Sequence, residues 1–216
     1  MNRLTLMVAQ VPPTSRMRFN VPDVWDESPL TRSQRRELAR QQQAIYDARR
    51  QHVALLRDVL PPPLCTLLDL PLDDAFMTLI AVDRPARELR LYLRHWVPED
   101  GNFHVCQPFD KAIRLRLRFK NVVLSWRDVQ TLRLVARQGD RADVKACELD
   151  VAPDGETSPY ICRFQWNTQL VANRDKKAGI AYLQIPEIEL RFDALDLEVT
   201  PEISKHVSSR CLFRLR

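Results

Sequence analysis

Only four glycines occur in the 216 residues, against fifteen prolines. Gly101, Gly139, Gly155 and Gly179 each stand in a polar setting (EDGN, RQGDR, PDGET, KKAGI), where glycine serves a turn. None is left for a phosphate-cradling loop, which argues against Walker-type and Rossmann-type nucleotide binding. No run of apolar residues approaches the roughly 20 that a membrane span requires. The apolar patch near the start, LTLMVAQV, is too short for a secretory h-region. The five cysteines, Cys65, Cys106, Cys147, Cys162 and Cys211, form no CxxC pair. They are expected to be reduced, mostly buried thiols of a cytoplasmic protein. Ser125, Ser158, Ser204, Ser208 and Ser209 lack the sharp-turn motif that marks a nucleophile.

What the chain does have is segregated positive charge. Lys111 to Lys120, KAIRLRLRFK, carries Lys111, Arg114, Arg116, Arg118 and Lys120 and no acid, which equals the net charge of the whole chain, +5. Ile113, Leu115, Leu117 and Phe119 alternate with these cations, and period two predicts a strand with one apolar and one cationic face. A second basic block, residues 31 to 60, holds seven arginines against three acids; residues 61 to 110 hold four arginines against eight acids. Segregation of this kind steers partners through local potential more than total charge does.

The pattern divides the chain into an extension (1–30), a basic amphipathic helix (31–62) and a β domain (63–216). Thr31 followed by Gln34 fits a capping box, and Pro61-Pro62-Pro63 forbids helix beyond Leu60. Within that helix Leu38, Ile45, His52, Leu56 and Val59 form a narrow stripe, with the arginines spread around the remainder. A short turn of helix is expected at Leu64 to Leu68. Period two then predicts strands at 76–83, 88–94, 112–120, 122–126, 131–136, 144–151, 160–166, 181–185, 188–192, 195–199 and 211–215. The expected fold is α+β: a mostly antiparallel β-sandwich or barrel-like sheet with one long N-terminal amphipathic helix.

Two readings of the cationic strand compete. It could track phosphates, because outward residues repeat about every 6.6 Å. Equally, it could be an outer sheet face paired with acids on a neighbouring strand, for which Glu187 and Glu189 in EIELRFD are candidates. Phe119 falls on the apolar face, so no aromatic is interleaved among the cations for base stacking. Arg32, Arg36, Arg40 and Arg50 of the helix are the further candidates for a partner or phosphate surface. Asp69, Asp73 and Asp74 form one tight carboxylate cluster, a pattern more often of turns than of acid–base chemistry. His104 and Cys106, with His95 nearby, fall short of the ligands a zinc site needs. No catalytic residue, metal or cofactor is assigned, and the four tryptophans (Trp25, Trp96, Trp126, Trp166) are expected as core or hairpin anchors.

The stretch MRFNVPDVW (Met17–Trp25), the charged helix containing Tyr46, and DVLPPPLCTLLDLPLDDAFM together resemble a family of uncharacterised bacterial proteins. Those begin with an MRYF-like strand and a tryptophan and reach an "LHDA" motif that opens a β domain. Here the motif is Leu72-Asp73-Asp74-Ala75, with Asp73 where the family has histidine. The resemblance implies that Met17 is the ancestral start and residues 1–16 an added extension; it brings no activity with it. The function expected is a non-enzymatic protein-interaction module (an adaptor, immunity or inhibitor protein) binding an acidic partner. Nucleic-acid binding through the strand and helix is the alternative, a homodimer through an exposed edge strand is possible, and no membrane association is expected.

Overall fold

A computed structural model describes residues 16–19, 31–70, 72, 75–97, 111–138, 142–168, 186–201 and 211–216. The chain divides into two compact units, Met1–Leu60 and Pro61–Arg216.

In the first unit, helix α1 runs from Arg32 to Arg57. The Thr31 hydroxyl accepts from the Gln34 N–H, and the Gln34 side chain accepts from the Thr31 N–H at 2.9 Å. This is the reciprocal arrangement that satisfies orphan donors at a helix start. Leu38, Ile45 and His52 are half-buried and Leu56 is buried, along the expected stripe. Val59 lies past the helix end and is exposed. The ring of Phe19 lies 5.3 Å from that of His52.

In the second unit, helix α2 (Pro62–Asp69) opens on proline, whose fixed φ suits a first helical turn. Among the described residues eight strands follow: β1 (Phe76–Asp83), β2 (Glu88–Val97), β3 (Lys111–Lys120), β4 (Ala142–Val151), β5 (Tyr160–Thr168), β6 (Glu187–Phe192), β7 (Ala194–Pro201) and β8 (Leu212–Leu215). All belong to one sheet that is not closed, in the order β6-β5-β4-β1-β2-β3-β7, with β8 beside β1. Every pairing is antiparallel except β1 with β8. The antiparallel α+β expectation therefore holds, whereas the strand pairing shows one sheet and not the two of a sandwich.

The two ends of this sheet are consecutive pieces of chain. Only Asp193 separates β6 from β7, so one extended stretch pairs with β5 through its first half and with β3 through its second. The Asp193 N–H donates to the Lys120 carbonyl at 3.0 Å at that corner. The ring of Phe119 on β3 consequently meets Phe192 on β6 (4.9 Å) and Phe164 on β5 (6.2 Å), both edge to face. All three rings are fully buried, together with Leu91, Leu115, Leu117 and Leu190.

Two expectations fail between β3 and β4. Residues 131–136 are not a strand but part of helix α3 (Trp126–Gln138), and 122–126 contributes only a single bridge, Val123 with Arg191. The capping box decides the matter: Ser125 N–H donates to Asp128 Oδ2, and Asp128 N–H donates to Ser125 Oγ, each at 3.1 Å. Val129, Leu132, Val135 and Ala136 then bury one helical face against the sheet. Trp126 is not an anchor either; it is 56% exposed, with the Arg133 guanidinium 5.4 Å above its ring, whereas Trp166 is fully buried. Of the four described cysteines only Cys162 is buried and the others are half-buried. The expected strand at 181–185 lies outside the described residues.

Phe119→Ala should remove the ring that joins the two ends of the sheet, at a cost of about 3–5 kcal/mol. Urea unfolding monitored by circular dichroism checks this; a loss below about 1 kcal/mol would mean that the contact is not part of the core.

Candidate cationic face of the sheet

β3 sits between β2 and β7 in unbroken register. From Arg114 to Phe119 its side chains alternate strictly, with Arg114, Arg116 and Arg118 exposed and Leu115, Leu117 and Phe119 buried. Lys120 is half-buried, and the side chain of Lys111 lies outside the described residues. The pairings carry this face sideways in rows. One row runs Tyr92, Arg116, Glu198; the next runs Arg90, Arg118, Asp196; a third runs Arg94, Arg114, Thr200.

The acids that meet the cations come from β7 and from the start of β2. Arg116 Nη1 donates to Glu198 Oε2 at 3.0 Å, and its guanidinium lies 5.7 Å from the centre of the Tyr92 ring. Lys120 Nζ donates to Asp196 at 2.8 Å, and Arg118 lies 3.7 Å from the same carboxylate. Glu88, 12% exposed, accepts from Arg118 through one oxygen and from Arg90 at 2.7 Å through the other. The expected partners Glu187 and Glu189 are engaged elsewhere: Glu187 accepts from Gln165, and Glu189 from Arg163 and Arg191. They lie on β6, at the opposite end of the strand order, because the hydrophobic pattern of a strand does not reveal which distant strand it joins.

Two cations converging on one carboxylate shift its titration. The hydrogen bond from Arg118, followed by that from Arg90, holds the Glu88 carboxyl at about 2 against its ordinary 4.5. Among the described residues the exposed or half-buried cations Arg90, Arg114, Arg116, Arg118 and Lys120 thus share this face with Glu88, Asp196 and Glu198, while Arg94 in the third row is buried. Over β3 the surface forms an open groove of about 370 Å³, lined by Arg90, Tyr92, Arg116, Arg118, Asp196 and Glu198. Its shape suits an extended segment lying across strands better than an enclosed small molecule.

The helix candidates fall in the other unit. At 100° per residue Arg32, Arg36, Arg40 and Arg50 occupy a sector of about 80°, and all four are exposed. These four share one face, while the seven arginines of α1 together spread over about half its circumference. Arg40 pairs with Glu37 at 3.5 Å and Arg50 with Asp47 at 3.8 Å. Of the remaining candidates, Asp73, Asp74, His104 and Cys106 lie outside the described residues, and Asp69 ends α2. His95 is 5% exposed on the apolar side of β2, opposite Ile113, and neither ring nitrogen has a hydrogen-bond partner among the described residues. Burial lowers its pKa from 6.5. Among the described residues no helix is long and apolar enough to cross a membrane.

No protein-family model, no curated protein and no solved structure matches this chain.

Both shifted groups make stability fall with acid, in separate windows. The fold disfavours charging His95, so stability drops as pH falls below 6.5. Glu88 contributes fully above 4.5, and its contribution disappears as pH falls through about 2. Thermal melts from pH 2 to 7.5 should show both arms; His95→Phe should flatten the upper one and Glu88→Gln the lower.

Proposed function

We propose that the outer face of β2, β3 and β7 is a docking surface for an acidic segment of a partner protein, and that the chain works as a non-enzymatic interaction module. The observation that carries this reading is the row of exposed arginines along β3, Arg114, Arg116 and Arg118, on one open sheet face. Over the groove the ion pairs seen among the described residues join four cations (Arg90, Arg116, Arg118, Lys120) to three carboxylates (Glu88, Asp196, Glu198), which leaves a positive potential there. Such a module acts by occupying its partner, as an adaptor, an immunity protein or an inhibitor does.

A protein partner is favoured over nucleic acid by the arrangement of charge and aromatics. Asp196 and Glu198, each about half exposed, stand among the arginines and would face any phosphate backbone laid along β7. Tyr92, the aromatic in the rows, has the Arg116 guanidinium over its ring and offers no free platform for a base. A protein segment can instead set basic or neutral residues against β7 and acids against β2 and β3.

Neutralising the carboxylates gives a test that misfolding cannot mimic. Asp196→Asn with Glu198→Gln should tighten binding of an acidic peptide by about 3- to 30-fold at low salt, because each exposed charge contributes about 0.3–1 kcal/mol. Arg116→Gln with Arg118→Gln should weaken it comparably. Fluorescence anisotropy with a labelled Glu-rich peptide and with single- and double-stranded oligonucleotides, across a salt series, checks both. Tight oligonucleotide binding with a steep salt slope and no peptide binding would replace the acidic protein with nucleic acid.

A further inference from the structure

The rows of the cationic face continue beyond β2. Across β1 and β8 the first becomes Leu212, Leu79, Tyr92, Arg116, and the second becomes Arg214, Ala81, Arg90, Arg118. A third is closed by backbone bonds. Arg216 N–H donates to the Val82 carbonyl at 2.9 Å and Arg84 N–H to the Arg216 carbonyl at 3.1 Å, which places Arg216 beside Asp83. Leu212, Arg214 and Arg216 are all exposed, Leu212 at 54%. Arg214 and Arg216 make no ion pair among the described residues.

The arrangement is a shallow apolar strip between two groups of arginines. Leu79 and Ala81 on β1 and Leu212 on β8 form its floor; Arg214 and Arg216 border one side, and Arg90, backed by Arg118, borders the other. With strands about 4.8 Å apart, Arg214 and Arg90 stand roughly 10 Å from each other across Ala81. That is room for one side chain from a ligand, with an anion on either flank. A uniformly charged polyanion would leave the exposed leucine without a partner, whereas a protein segment supplies both kinds of group.

We propose that the docking surface extends over β1 onto β8 and selects a partner segment in which one large apolar residue is flanked by carboxylates. This rests on the reading of the β2–β3–β7 face as the site for an acidic protein, and specifies what that protein must present. Neither the strip nor its border is visible in the sequence as a motif, since Leu79 and Leu212 are brought together only by the parallel pairing of β8 with β1.

Two labelled peptides test it, one with a central leucine among glutamates and one with serine in its place, each titrated by anisotropy against the full chain. The leucine peptide should bind about tenfold tighter, in line with burial of one aliphatic side chain. Leu212→Ser should abolish that preference and leave the serine peptide's affinity unchanged, and Arg214→Glu should weaken both peptides. Circular dichroism and melting temperature establish that each variant is folded, which exposed positions permit; Leu212→Ala provides the same test should Leu212→Ser fail to fold. If both β8 variants bind the leucine peptide as the wild type does while Arg116→Gln with Arg118→Gln loses binding, the footprint stops at β2 and the extension is wrong. If the wild type binds neither peptide, the acidic-protein reading itself falls and takes the extension with it.

Discussion

Leu115, Leu117 and Phe119 hold β3 in place, each 1% exposed or less, packed between the leucines of β2 and the start of β7. A strand has a period of two, so sliding β3 by one residue would turn these three outward and carry Arg116 and Arg118 into the core. Burying a guanidinium without a compensating partner costs several kcal/mol. Register is therefore fixed from the apolar side, and the cationic face follows from it. The rows that join Tyr92 to Arg116 and Glu198, and Arg90 to Arg118 and Asp196, are consequences of where the leucines must go.

The carboxylates on that face moderate repulsion more than they stabilise the fold. Neighbouring cations about 6.6 Å apart along one strand face repel by about 0.6 kcal/mol in water, rising to about 2.5 kcal/mol at the lower effective dielectric of a protein surface. Exposed pairs such as Arg116–Glu198 return about 0–1 kcal/mol each. The two effects are of similar size, so the acids make the row of cations tolerable without erasing its field. Glu88 differs from Asp196 and Glu198 in being largely covered, and its position between two guanidiniums explains why its carboxyl is held well below the usual carboxylate range.

Much of the β domain could be read from local pattern, and the reasons for the failures are equally local. Residues 76–83 and 188–192 show alternation that burial on one face enforces, 160–166 are buried on both faces, and the Thr31–Gln34 box marks the start of α1. Helix α3 was hidden because Leu132 and Leu134 alternate in TLRLV as they would in a strand; the Ser125–Asp128 box was the signal that resolved it. For the candidate site, the identity and outward direction of Arg114, Arg116 and Arg118 were legible. Their partners were not: Glu198 is 82 residues from Arg116, and nothing in the spacing of either strand says that they meet. The β8 arginines were missed for the same reason.

One piece of chain begins the sheet as β6 and finishes it as β7, turning at Asp193. The β1–β2 and β2–β3 pairings join neighbouring strands along the chain, whereas β7 reaches β3 across 74 to 88 residues. Contacts that span so much sequence form late, after shorter loops have closed. During folding, then, the arginines of β3 stand for a time with Glu88 but without Asp196 and Glu198. A nascent or partly unfolded chain is more cationic on this surface than the finished protein, and it attracts anions of every kind more strongly than the native state does.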